Sequence, residues 1–373
     1  MSSTQTTESI SSREWFEHIT GVTEQEFVMT KATQIHESPS KYTTPELFIT
    51  NKKTHEDFSC GSFELLSLKD LRKYSTPSTV PAKFEIFIRK SSASLNKVEV
   101  SAMQLSPEFK NSVFLVASNF NAVESVSEGI SPDSHNFTTN YVYDRTQGPI
   151  ASIGAPAAAI CRVHFPFYDS KIDPQQWGQT DEHQVEILGK LKNKYPVVNG
   201  YPLLSKEKKV TESDEDKYIA AIHSNVTAMM RMCGGKIEVV GQADRQKIDQ
   251  VIAAALNVGQ GMSGMRNGQI ADKEKSMRTF PLKCGYEATY LTAIKNGREN
   301  VVLTLLGNGV FGNTTESVCE SIIQTHLKFG IKNNGSIRRV IVPLFSIGGY
   351  DALPIFEKLL KKNGVEYEVK VFE

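Results

Sequence analysis

Short apolar runs bounded by turn residues recur along the chain, and most read as strands. Residues 112–117 (SVFLVA) and 301–306 (VVLTLL) are almost wholly apolar, as strands buried in a sheet are. Residues 83–89 (KFEIFIR) alternate apolar and charged positions, the pattern of a half-buried strand. Residues 62–66 (SFELL), 97–103 (KVEVSAM) and 338–345 (RRVIVPLF) are further strand candidates, and 365–372 alternate as a last strand. Helical spacing predicts other elements. Ile248, Val251, Ile252 and Ala255 stand at i, i+3, i+4 and i+7, so 244–256 reads as an amphipathic helix. Val185, Leu188 and Leu191 give 180–195 the same reading. Pro149 opens a helix with Thr146 or Gln147 near its cap, and Pro156 interrupts it. Asn313 and Glu316 resemble a capping box ahead of Val318, Ile322 and Phe329. Asp351 caps a helix bearing Ile355, Phe356, Leu359 and Leu360.

From residue 301 onward the order is strand, loop, helix, strand, helix, strand. That alternation predicts an α/β fold with a mostly parallel sheet and helices on its faces. Its loops lie at the strands' carboxyl ends, where such folds bind ligands. Residues 1–12 are Ser/Thr-rich and read as a disordered tail, and 13–96 as an accessory α+β region. Residues 97–373 form the principal domain, with insertions at about 165–240. The polar stretch 205–217 reads as a solvated loop.

Composition narrows the function classes. The 373 residues carry 42 Lys+Arg and 42 Asp+Glu, so no global field draws the chain to a polyanion. Nucleic acid or an acidic membrane is not expected as the main partner. No apolar run reaches the ~18 residues of a membrane span. The polar N-terminus lacks the core of a secretory signal. Five cysteines, with no CxxC among them, fit a reducing compartment. The expectation is a cytoplasmic or nuclear protein, not a secreted one, without a metal constellation.

Three features hold candidate chemistry. Gly307, Asn308, Gly309, Val310, Phe311, Gly312 and Asn313 form a glycine-rich turn between a strand and a helix. Exposed N–H groups and the helix dipole there suit a phosphate, although a tight turn without ligand has the same glycines. Asn313 stands where a P-loop has its Lys, so a P-loop triphosphatase is not expected. Asn119 and Asn121 directly follow a strand, and their amides suit sugar hydroxyls or an Asx turn. The loop from 118 to 147 bears Glu124, Glu128, Asp133 and Asp144, and paired carboxylates there could orient water at an anomeric carbon. Glu128 and Asp133 also read as solvated charges. Cys161 with His164 is a further thiol candidate, against the plainer reading of a buried cysteine.

Together these motifs resemble the macrodomain superfamily of ADP-ribose-binding α/β modules. Asn119-Phe-Asn121-Ala122 is similar to its ribose-contacting Asn motif. Gly307-Asn-Gly309-Val-Phe311-Gly312 is similar to its second phosphate loop. Thr146-Gln147-Gly148-Pro149 looks like the Gln-containing turn of divergent, glycohydrolase-like members, including bacterial-effector types. The likeness covers roughly 100–373. The Gly-Gly-Gly run is absent, and Gly148-Pro149 stands where poly(ADP-ribose) glycohydrolases carry two consecutive Glu. The resemblance implies removal of ADP-ribose from modified protein side chains, with ADP-ribose as ligand or product and room for Mg²⁺. The catalytic acid then comes from Asp144, Asp133 or Glu124. The diphosphate lies on 307–313, and the ribose sits near Asn119, Asn121, Thr146, Gln147 and Gly148. A non-catalytic ADP-ribose-binding module is the alternative.

Overall fold

The structure is a computed structural model and describes residues 7–78, 80–90, 98–206, 208–233, 235–345 and 352–373. Its strands in chain order are β1 (Thr7–Ser11), β2 (Ile35–Ser38), β3 (Glu46–Thr50), β4 (Asp57–Ser67) and β5 (Lys83–Arg89). They continue with β6 (Ser112–Ala117), β7 (Val197–Val198), β8 (Tyr201–Pro202), β9 (Ile219–Ala228) and β10 (Met230–Cys233). The last five are β11 (Lys236–Val240), β12 (Gln246–Ala253), β13 (Asn300–Val302), β14 (Arg339–Phe345) and β15 (Tyr367–Phe372).

Among the described residues, ten strands make one sheet in the order β15-β5-β14-β13-β6-β12-β9-β4-β3-β2. The six from β15 to β12 run parallel, and the four from β9 to β2 continue antiparallel. The expected α/β architecture is therefore present. Helices Gln147–Gly154 and Lys275–Asn296 pack on β6, and Pro156–His164 packs on β4 and β9. A division at residue 96 would cut through this sheet, because β4 and β5 belong to it. So does β9, from within the expected insertion.

Several expectations are corrected. Residues 244–256 hold β12, not a helix, paired with β6 on one side and β9 on the other. Ile248 through Ala253 are all buried, so apolar side chains lie on both faces and imitate helical spacing. Residues 180–195 hold only one short 3-10 helical turn, Gly189–Leu191, among bends and turns. Val185, Leu188 and Leu191 are buried as expected, but the backbone bonds outward, from Ile187 to Phe120 and to Gln179 from Val185. The 97–103 strand is instead a helix, Val100–Leu105, whose N-cap Glu99 accepts from Ser101 and Ala102 amides. Residue 97 lies outside the described residues, as does Asp351. Strand β13 stops at Val302, short of residue 306. Of the expected disordered tail 1–12, Thr7–Ser11 is a strand paired with β11, and residues 1–6 lie outside the described residues. In 205–217, Asp214 is buried and ion-paired with Lys194 and Lys217.

Candidate functional site

Three parallel neighbours, β12, β6 and β13, end on the same edge of the sheet, and their loops interlock there. The Ser118 amide donates to Ala253 (2.9 Å), and the Val258 amide donates to Phe311 (2.9 Å). Gly307 and Gly312 have φ of +68° and +67°. A Cβ on Gly307 would meet the Ala255 Cβ at 2.3 Å, and one on Gly312 would meet Gly259 Cα at 2.9 Å. Glycine is thus required at both for the loop to fold onto the 254–260 segment. Gly309 is different, because nothing lies within 4 Å of a Cβ placed on it. The amides of Gly307, Gly309, Val310 and Phe311 donate to no acceptor among the described residues. Asn308 and Asn313 build the loop rather than face outward. Asn308 donates to Asn313 O and Thr315, and Asn313 donates to Leu256 O (2.9 Å) and Gly307 O (3.2 Å). The following helix, Thr315–Thr325, is capped by the Thr314 hydroxyl on the Ser317 amide, not by the expected Asn313–Glu316 box.

The asparagine loop is buried. The Asn119 side chain donates to Ser125 O, and that of Asn121 donates to Gln184, each at 2.9 Å. Above them lies the β7–β8 hairpin, whose Asn199–Gly200 turn has φ of +45° and +79°. Asn-Gly is the residue pair that such tight turns favour. The Phe120 amide donates to Gly200 O (2.9 Å), so the hairpin is bonded to the loop. The expected sugar-binding amides therefore donate within the protein. Asn121 Oδ1 is left sealed without a partner.

The acids gather beside this. A pocket of about 130 Å³ is lined by Glu124 and Asp144, with Ser134, Phe137, Asn140 and Tyr141 among its walls. Glu124 keeps part of its surface toward the pocket, but its Oε1 is shut from solvent and lacks a hydrogen-bond partner. Burial pushes the Glu124 carboxyl up to about 8, against the pull of the Arg162 guanidinium, while Asp144 adds to the rise. The group is therefore mostly protonated at neutral pH, ready to donate. The other carboxylate, Asp144, accepts from the Thr146 amide (2.8 Å). Asp133 is exposed, bonded to Ser131 and to the Asp181 amide (3.2 Å), one residue from the lining Ser134. Glu128 is not a free solvated charge, because it accepts from the Ser263 amide (3.0 Å) at the start of helix Gly261–Ala271.

The Thr146–Gly148 turn holds the acid in place from below. Thr146 is the exposed N-cap of helix Gln147–Gly154, and its hydroxyl makes no capping bond. The Gln147 side chain accepts from the Ala117 amide (2.8 Å) and donates to Leu115 O (2.9 Å). It thereby pairs the end of β6 where short β13 no longer reaches. At Gly148 a Cβ would lie 1.8 Å from Ala117 O and 2.6 Å from Glu124 Oε2. The Glu124 carboxyl thus fills the space beside Gly148, which no larger residue could share.

Tyr201 joins the parts. Its hydroxyl donates to Ser125 O (2.8 Å), and its ring lies 5.9 Å from that of Phe311 in the glycine loop. Burial raises its phenol to about 12, helped by the charges of Glu124, Glu128 and Asp144. The acid pocket and the glycine loop are therefore neighbours.

No protein-family model matches the chain, and no curated protein does. Solved glycohydrolases resemble it in outline. A poly(ADP-ribose) glycohydrolase from Thermomonospora curvata is 13% identical with a TM-score of 0.47, over 93% of this chain and 98% of that one. One from Deinococcus radiodurans, in complex with ADP-ribose, is 11% identical with a TM-score of 0.46, over 81% and 95%. The Thermomonospora enzyme bound to the inhibitor ADP-HPD gives 13% and 0.45, over 93% and 98%.

Sequence reasoning missed Tyr141, Arg162 and Tyr201. Tyr141 is buried and its hydroxyl accepts from the Glu124 amide (3.1 Å). Arg162 is buried on helix Pro156–His164 and donates to Ser152 (2.8 Å) and Gln250 (3.0 Å). An Asn-Gly pair between Val197-Val198 and Tyr201 was the signal for the hairpin. The thiol alternative loses its geometry, since Cys161 is wholly buried and His164 bonds Glu24 and Thr138. Among the described residues no group of three His, Cys, Asp or Glu could hold a metal ion. No helix among them is long and apolar enough to cross a membrane.

Proposed function

We propose that this chain is an ADP-ribosylhydrolase acting on ADP-ribose attached to protein side chains. The observation that carries the reading is the contact of one residue, Tyr201, with both the acid-bearing loop and the glycine loop. That separation, one tyrosine side chain, is comparable to the span of a sugar phosphate. The free amides of Gly307, Gly309, Val310 and Phe311 take the diphosphate, helped by the dipole of helix Thr315–Thr325. The anomeric carbon lies at the acid pocket. Protonated Glu124 gives its proton to the leaving heteroatom as the glycosidic bond breaks, and water adds to the anomeric carbon. Asp144 takes the proton that this water loses.

The test is release of ADP-ribose from a mono-ADP-ribosylated protein by the wild type, Glu124→Gln and Asp144→Ala. Release by the wild type, and its loss in both variants with ADP-ribose binding retained, supports the hydrolase. Binding without release by any of them supports the non-catalytic module instead.

A further inference from the structure

The N-terminal helices meet the wall of the acid pocket, far from them in sequence. Helix Trp15–Thr20 begins with a fully buried Trp15, whose indole N–H donates to Thr139 O (3.2 Å). Glu24, buried at the start of helix Glu24–Thr30, accepts from the amides of Thr138 (2.9 Å) and Thr139 (2.8 Å). It also bonds His164 Nε2 at 3.2 Å. Gln25 Nε2 lies 2.7 Å from His135 Nδ1. Phe16 and Phe27 pack edge-on against the His164 ring. Four contacts thus converge on residues 135–139, and the stretch 135–141 supplies His135, Phe137, Asn140 and Tyr141 to the pocket.

We propose that these two helices clamp the pocket wall, and that Glu24 is a positioning residue for Glu124. The path is short. Glu24 fixes the 138–139 backbone, which starts the turn Thr139–Tyr143, and the Tyr141 hydroxyl accepts from the Glu124 amide. A carboxylate suits this task because its two oxygens accept two adjacent N–H groups at once. Contacts to Thr138, Thr139 and His164 hold the Glu24 carboxyl at about 2 against the effect of burial, so it stays ionised as an acceptor. The clamp keeps water from Glu124. Around that carboxyl stand Arg162 from helix Pro156–His164, Ser118 from the end of β6, and Asp144 and Tyr141 from the loop. Tyr201 faces it from the hairpin. Of these groups, Tyr141 is bonded to the clamped segment, its amide donating to Thr138 O (3.1 Å).

The inference rests on the hydrolase reading for its effect on turnover, but the clamp itself can be read without activity. Full-length wild type, Glu24→Gln, Trp15→Phe and the core control Phe27→Leu are compared by hydrogen–deuterium exchange over 134–143. Release of ADP-ribose is followed against pH on the same four proteins. Gln puts an –NH2 donor where Glu24 has one of its two acceptor oxygens, so one of the two backbone bonds breaks. The expected result is exchange at least about tenfold faster in that segment for Glu24→Gln, a smaller rise for Trp15→Phe and none specific to it for Phe27→Leu. Water then reaches Glu124, its pKa falls, and the alkaline loss of turnover moves to lower pH, with kcat affected more than KM. Unchanged exchange over 134–143 in both clamp variants overturns the proposal. So does an alkaline limb that stays put while only thermal stability falls. If the wild type releases no ADP-ribose, the hydrolase reading fails, and the exchange data alone decide the clamp.

Discussion

Replacing Glu124 by glutamine should stabilise the protein while stopping turnover. An unfolded glutamate titrates near 4.5, whereas the folded carboxyl holds its proton to about 8. Between those values the folded state binds more protons than the unfolded state, so stability falls as pH rises through that window. At pH 7 the gap from 4.5 is two and a half pH units, which at ~1.4 kcal/mol each sets a penalty of at most about 3.5 kcal/mol. Wetting at the pocket mouth makes this an upper figure. Glutamine keeps the size, never ionises and removes the slope. Urea unfolding of wild type and Glu124→Gln at pH 4.5, 6 and 7.5 measures it. The curves should coincide near pH 4.5 and separate with rising pH, the variant being the more stable. Release of ADP-ribose should drop by ~100-fold or more, the scale of a lost general acid. Wild-type turnover should itself decline as pH rises through about 8, the value at which the Glu124 proton is lost. Parallel stability curves with no pH-dependent gap would refute the buried, protonated carboxyl on which the mechanism stands.

Other positions separate scaffold from site. Gly307→Ala forces a Cβ against Ala255 at a positive φ and should cost about 1–3 kcal/mol in urea unfolding. Gly309→Ala, with open space at its Cβ, should leave stability within ~0.5 kcal/mol. Gln147→Ala strips partners from Leu115 O and the Ala117 amide and should destabilise by about 2–4 kcal/mol. Tyr201→Phe removes one hydrogen bond to Ser125 O, about 1 kcal/mol, and should leave the fold unchanged by circular dichroism.

Much of this was legible in the chain itself, for identifiable reasons. The ends of β5 and β6 are where alternation and an unbroken apolar run place them, because strand burial there follows sequence directly. The glycine loop is where its glycines stand, since two of them have backbone angles that other residues avoid. Glu124 and Asp144 were both among the acids singled out, but only tertiary packing separates them from Asp133, which lies in the same stretch and turns to Asp181. Strand β12 was hidden because burial on two faces erases the alternation that marks a strand. The work of Gln147 could not be read from its neighbours in sequence. It depends on β13 being short, and so on how three separate strands end.

Hydrolysis at the acid pocket requires that the glycine loop hold the diphosphate of ADP-ribose next to it. Calorimetric titration of ADP-ribose into wild type and Gly309→Asp tests it most directly, because the new carboxylate would stand among the free amides. Saturable binding at one site per wild-type chain is expected, with at least ~10-fold weaker binding by the variant from charge repulsion at an anion site. No binding to the wild type, or equal affinity for both proteins, would contradict it.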